Sequence, residues 1–104
     1  MTLQSPEVKE REKVKEKPKN IEPPMYKVIL HNDDYTPMEF VVEILMYVFL
    51  KPLEEATLIM LNIHKKGIGI CGVYTFEMAE TKIEKVHALS QERSFPLRCS
   101  MEKL

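Results

Sequence analysis

Hydrophobic positions along the chain fall into six periodic stretches separated by polar or Gly/Pro-marked breaks. Tyr26, Val28 and Leu30 alternate with Lys27, Ile29 and His31, the period of two expected of a strand. His31-Asn32-Asp33-Asp34-Tyr35 then interrupts the alternation with side chains that favour turns. Thr36-Pro37-Met38-Glu39 predicts a helix start, with Thr36 as N-cap, Pro37 at the first helical position and Glu39 closing a capping box. That helix is predicted to reach about Leu50, with Phe40, Val41, Ile44, Leu45 and Val48 on one face. A second helix is predicted from near Pro52 to Lys65-Lys66-Gly67, where basic side chains meet the negative end of the dipole and glycine supplies a left-handed cap. Residues 68–74 are a short β-rich run. Thr75 is placed to cap a third helix, on which Phe76, Ala79, Ile83 and Val86 recur at helical spacing. Leu97, Cys99 and Met101 alternate with Arg98, Ser100 and Glu102 as a final strand. The order β-α-α-β-α-β predicts an α+β domain of two layers, with three helices on one face of a small, mainly antiparallel sheet of three strands.

No such pattern precedes Met25. Residues 5–22 are mixed in charge, nearly free of large apolar side chains, and end at Pro23-Pro24, which together disfavour helix. Residues 1–22 are therefore predicted to form a disordered charged tail and residues 23–104 the folded domain. Composition sharpens that split: the first 22 residues hold six basic and five acidic side chains but five hydrophobic ones, in a chain of 104 residues that is 44% hydrophobic. A domain of this size buries roughly 60% of its unfolded surface, enough for one core, so any ligand site is expected to be a shallow surface pocket.

Charge and apolar runs narrow the partners. The formal net charge is −1, and neither tail nor domain carries the basic field that phosphate backbones select, so no nucleic acid is expected. The longest unbroken apolar run, residues 44–50, is far short of the ~20 residues that span a bilayer. The tail has too few apolar residues to anchor a membrane helix, and no apolar segment follows the first Met; no membrane is expected, and a cytoplasmic location is. Cys71 and Cys99 lie in apolar surroundings without a CxxC partner, the pattern of buried core thiols in a reducing compartment.

Two features stand apart from packing. Asn32-Asp33-Asp34, just before a helix, is an acceptor-rich cluster suited to a metal or an amine, and equally to an Asx turn that complements the helix dipole. On the second helix, Ala56, Met60, Ile63, His64 and Gly67 share one arc, so His64 lies inside an apolar stripe; a core histidine bonded to a backbone carbonyl is the alternative. Met38 and Met60 have a comparable alternative as core filler. The sequence has no HExxH, no GxSxG and no phosphate-cradling glycine loop, and its His and Cys residues lack metal-ligand spacing. The expectation is no catalytic residue, no metal and no cofactor.

Four blocks, PPMYKVILHNDDYTPMEFV, LIMLNIH with its following basic pair and Gly, ICGVYTFEMAETK and PLRCSMEKL, resemble the ClpS family in order and spacing, over about Pro23 to Leu104. The resemblance implies a three-stranded antiparallel sheet covered by three helices, and an adaptor that hands N-degron substrates to a ClpA- or ClpC-type AAA+ unfoldase for degradation by ClpP. Such substrates begin with Leu, Phe, Tyr or Trp, and so present a free ammonium beside a large apolar side chain. The resemblance implies that Asn32, Asp33 and His64 hold the ammonium, with Asp34 a further acid at the pocket mouth. Thr36, Met38, Val41, Met60, Ile63 and Leu97 would line the apolar pocket, Met38 restricting β-branched first residues. Glu77 and Lys82 match positions that dock the unfoldase N-domain, and the charged tail would serve delivery. Two departures are Pro52, where members can carry an N-cap Asp, and His31, where an apolar residue is common. Other classes compatible with the element order are a docking domain of the ribosomal-stalk C-terminal type and a small hydrolase holding a metal on Asp33, Asp34 and His64.

Overall fold

The computed structural model describes residues 22–104, so the predicted tail lies outside the described residues apart from Glu22. Strand β1 (Met25–His31) is the middle of a sheet ordered β2-β1-β3, pairing antiparallel with β2 (Ile68–Thr75) and β3 (Arg98–Lys103). Between β1 and β2 run helices α1 (Met38–Tyr47) and α2 (Leu53–Lys66), and α3 (Phe76–Glu92) joins β2 to β3. The predicted element order stands, and the sheet is antiparallel throughout.

The alternation in β1 explains why it is central. Val28 and Leu30 are fully buried and join one core with Val41, Ile44 and Leu45 of α1, Ala56 and Ile63 of α2, and Ala79 and Val86 of α3. Each large side chain buried there is worth roughly 1.5–3 kcal/mol. Ile29 is also buried, although its register puts it on the other face, because Ile70 and Ser100 flank it from the two neighbouring strands. A strand with neighbours on both sides is thus covered even where it faces away from the helices.

Helix boundaries depart from expectation at α1. Its N-cap is Pro37, with no side-chain cap, and the Pro37 carbonyl accepts from the amides of Phe40 (3.1 Å) and Val41 (3.2 Å). The predicted capping box does not form because the amide and hydroxyl of Thr36 both donate to Asp33. The helix ends at Tyr47, where Val48 N–H donates to the Ile44 carbonyl and Lys51 N–H to that of Leu45, and the chain turns through Leu50 at φ 57°. A left-handed conformation costs a β-carbon residue roughly 1–2 kcal/mol, and glycine is the usual occupant of such a cap.

The end of α2 follows the sequence closely: Gly67 adopts φ 93° and its N–H donates to the Ile63 carbonyl. Gly69 is also required, since a β-carbon there would lie 2.5 Å from Cγ1 of Ile63. Thr75 occupies the N-cap of α3 by position, without a side-chain hydrogen bond. Phe76, expected on the buried stripe, is instead exposed and meets Tyr26 edge-on at 5.4 Å. Cys71 and Cys99 are free and buried. Burial pushes the Cys99 thiol up to about 12, and burial together with the neighbouring Cys99 raises Cys71 further, so both are unreactive at neutral pH. Among the described residues no helix is long and apolar enough to cross a membrane.

Candidate substrate-binding site

The site is assembled where β1 ends. His31 pairs with Ile68, and the next amide, Asn32 N–H, donates to the Gly67 carbonyl at 2.8 Å. The loop that follows β1 is thereby clamped to the turn between α2 and β2. Because the Gly67 cap reverses the chain directly after α2, this clamp brings Asn32, Asp33 and Asp34 to the same pocket as His64 on the last turn of α2. Close packing of α2 on β2 over Gly69 sets the position of Ile63 in the same pocket.

Asp33 shapes the loop. Its Oδ1 accepts from the amides of Tyr35 (2.8 Å) and Thr36 (2.7 Å), and its Oδ2 from the Thr36 hydroxyl (2.8 Å). Burial pushes this carboxyl up, but the hydrogen bonds from Thr36 and Tyr35 outweigh burial and hold it below the usual carboxylate range. A carboxylate offers about four lone-pair sites; with three occupied, Oδ2 keeps one. Asn32, Asp34 and His64 are exposed and make no side-chain hydrogen bond among the described residues. The pocket thus has a rim of acceptors awaiting donors.

Below the rim is a cavity of about 230 Å³ walled by Thr36, Met38, Val41, Met60 and Ile63. Val41 and Ile63 are nearly buried parts of the core, whereas Met38 is 42% exposed at the opening. Of the residues expected at the apolar wall, Leu97 is the exception. It is 4% exposed inside the main core, just ahead of β3, and is not among the side chains lining the cavity. The alternative of a core histidine fails for His64, which is exposed. Asp33 makes the Asx turn and also lines the pocket. Thr36, the hydroxyl in the pocket, donates to Asp33 and is not paired with His64. Among the described residues, no group of three His, Cys, Asp or Glu side chains is arranged to hold a metal ion.

Glu77 and Lys82 do not line this pocket. Glu77 is exposed on the first turn of α3. Lys82 is half-buried, its Nζ donating to the Val48 carbonyl at 2.9 Å and lying 5.2 Å and 5.9 Å from the ring centres of Tyr74 and Phe49. The sequence also left unmarked how close Gly69 lies beneath Ile63; its signal was a second glycine two residues after the helix cap.

Fold and pocket together define a small α+β domain with an acceptor rim over an apolar cleft. Its relatives give that class a family. The family model for the ATP-dependent Clp protease adaptor protein ClpS matches residues 21–100, and the chain belongs to the ClpS family. It is 59% identical over 103 residues to the ATP-dependent Clp protease adapter protein ClpS of Desulforapulum autotrophicum, covering 99% of both chains. It is 64% identical over 80 residues to that of Desulfatibacillum aliphaticivorans, covering 77% of each. Among solved structures it is similar to Agrobacterium tumefaciens ClpS2 bound to L-phenylalaninamide, with a TM-score of 0.77 and 38% identity over 79% of this chain and 99% of that one. The Desulforapulum and Desulfatibacillum relatives are named as adapters of the Clp protease.

Proposed function

We propose that this chain binds polypeptides by a free α-amino group and a large apolar first side chain, and delivers them to a ClpA- or ClpC-type AAA+ unfoldase for degradation by ClpP. The observation that carries the reading is the juxtaposition of acceptors on Asn32, Asp33, Asp34 and His64 with the apolar wall of Thr36, Met38, Val41, Met60 and Ile63. The relative bound to L-phenylalaninamide supports it, since that ligand pairs an α-ammonium with an aromatic side chain.

The chemistry is complementary group by group. An ammonium has three donors and no acceptor. The free lone pair on Asp33 Oδ2, the Asn32 side-chain oxygen and a neutral His64 nitrogen supply three acceptors. The negative charges of Asp33 and Asp34 attract the cation before contact. His64 must be neutral, because an imidazolium offers donors to a group that also offers donors. The apolar side chain enters the cleft, where Met38 closes one side and would meet the second γ-carbon of Val or Ile, while the unbranched thioether adapts to rings of different size.

Magnitudes are consistent with a releasable cargo. Burying the side chain is worth roughly 2–3 kcal/mol, and each charge-assisted hydrogen bond about 1.5–3 kcal/mol. Association costs at least about 4 kcal/mol in lost freedom. The upper end of these ranges leaves about 8 kcal/mol, a micromolar-scale complex. Delivery is tested by adding this chain to the unfoldase and ClpP with a folded substrate beginning with Leu or with Ile. Degradation of the Leu form is expected to accelerate far more than that of the Ile form; equal acceleration of both, or none, would refute the reading.

A further inference from the structure

The three helices pack against one face of the sheet, and the strand register defines what the opposite face presents. Lys27, Ile29 and His31 of β1 point away from the helices, since Val28 and Leu30 between them are buried in the core. Their partners are Val73, Ile70 and Ile68 on β2 and Glu102, Ser100 and Arg98 on β3, so the outer face is three rows of three side chains. On β2 the step from Ile70 to Val73 spans an extra residue, because the register shifts between Val28 and Ile29 and leaves Cys71 buried on the core side. That bulge keeps a third aliphatic side chain on the outer face.

An open face of an antiparallel sheet normally carries polar side chains. Strand β3 follows that rule and β2 breaks it, with Ile68, Ile70 and Val73 at 47%, 50% and 44% exposure. Strand β2 is also an edge of the sheet, and its sequence IGICGVYT has neither a charge nor a proline to discourage pairing with another chain. The polar half is incomplete in a complementary way. Arg98 meets no carboxylate among the described residues, its guanidinium lying 3.3 Å from His31 Nδ1. At the other end of β3, Glu102 engages Lys27 through Oε1 alone, at 3.4 Å.

We propose that this face packs on the same face of a second copy of the chain, about a two-fold axis that crosses the strands at the Ile29 row. Such an axis lays β2 antiparallel over β2 and β3 over β3. Ile70 then meets Ile70, Ile68 meets Val73, and Arg98 of each copy meets Glu102 of the other. Chemistry excludes the competing axes. One running along β1 would lay the aliphatic side chains of β2 on Arg98 and Glu102, burying charge against apolar surface. One through the Lys27 row would set Lys27 on Lys27 and Glu102 on Glu102, and like charges across an interface repel. A cation and an anion at opposite ends of one strand, beside an uncharged aliphatic strand, are matched by the same pair of strands running the other way; that is why the occupant is a second copy.

The seven residues of β1, at about 3.4 Å each, and three strands about 4.8 Å apart make a face of roughly 24 by 14 Å. Burial over both copies stays below about 1,200 Å², the range of transient association, so monomer and dimer exchange with concentration. None of the side chains on this face lines the pocket above α2, which stays open in either state.

The test is sedimentation equilibrium of the full chain over a concentration series reaching the millimolar range, with circular dichroism to confirm that each variant is folded. The wild-type mass is expected to rise from one copy toward two. Arg98→Glu and Glu102→Arg each set like charges together and are expected to weaken self-association at least tenfold, and Ile70→Lys to abolish it. The two charge variants are then mixed: one carries acid at both positions and the other base at both, so the mixture is expected to associate at least tenfold more tightly than either variant alone. The double variant R98E/E102R keeps the wild-type net charge and is expected to recover self-association, which separates pairing at the interface from long-range attraction. A wild-type mass of one copy at every concentration overturns the proposal. So does a dimer that persists unchanged in Ile70→Lys and in both charge variants, because its contact lies elsewhere. Failure of the mixture and the double variant alike to recover association overturns the axis and the assignment of Arg98 to Glu102.

Discussion

The two ends of α1 present opposite chemistry. At its start, polar groups are exposed above an apolar cleft, and one of them, Asp33, is fixed by three hydrogen bonds from the backbone and hydroxyl around it. At its end the polar groups point inward, with the Val48 carbonyl held by Lys82, and the apolar side chain of Leu50 points out. The first end presents acceptors above an apolar cleft; the second presents an apolar side chain to solvent. Both depend on a short turn held by a side chain bonded to backbone, and in both an otherwise unfavourable feature is present: unpartnered acceptors at one end and a strained, exposed leucine at the other.

The largest expected effect comes from breaking the first end alone. His64→Ala and Asp33→Ala should each weaken binding of a Phe-initiated peptide roughly tenfold to a hundredfold, the worth of one charge-assisted hydrogen bond at about 1.5–3 kcal/mol. Calorimetry on each variant, alongside unfoldase binding, checks whether the loss stays at this end; Asp33→Ala should also lower stability, because Tyr35 and Thr36 lose their acceptor.

A next effect tests the support beneath the pocket. Gly69→Val forces Ile63 aside and should destabilise the domain by about 1–3 kcal/mol, as overpacking does. Because Ile63 is also a pocket wall, peptide affinity should fall in parallel, while Leu50 is untouched; urea unfolding and peptide titration on one preparation would reveal any decoupling.

Acidification separates the loop from the rest more gently. His31, on the outer sheet face, has Nδ1 facing the Arg98 guanidinium at 3.3 Å and Nε2 bonded to Ser100 at 2.7 Å. Burial and then Arg98 lower its pKa below the ordinary 6.5, so its contribution is present above that value and lost as pH falls through the lower folded value. Asp33, also lowered, contributes above its ordinary 3.8 and loses that contribution at still lower pH. Urea midpoints should therefore fall in two steps, and His31→Val should flatten the first without changing the second. The smallest effect belongs to Leu50→Gly, where relief of the left-handed strain offsets the extra freedom of unfolded glycine, a net gain of zero to about 1 kcal/mol.

Much of this was legible in the sequence, for identifiable reasons. Periodicity set the element order because each strand and helix has one buried face, and Gly67 marked the end of α2 because a left-handed cap favours glycine. The acceptor rim was visible as NDD beside a histidine on an apolar arc. What could not be read were choices between competing partners. Thr36 looked like a helix cap because its type and spacing fit one, yet Asp33 takes its hydroxyl, and no local rule ranks the two. Leu97 alternates as a strand residue does, and its place in the core depends on helix packing distant in sequence. Lys82 entered only through the resemblance, and nothing near it in sequence announces the Val48 carbonyl 34 residues away.

The central claim is that the rim of Asn32, Asp33, Asp34 and His64 binds a free α-ammonium. Its most direct test is a calorimetric titration of one Leu-initiated peptide against its N-acetylated twin. The free peptide should bind in the micromolar range, and the acetylated twin should not bind detectably. Equal affinity for the two peptides, or no binding of either, would contradict it.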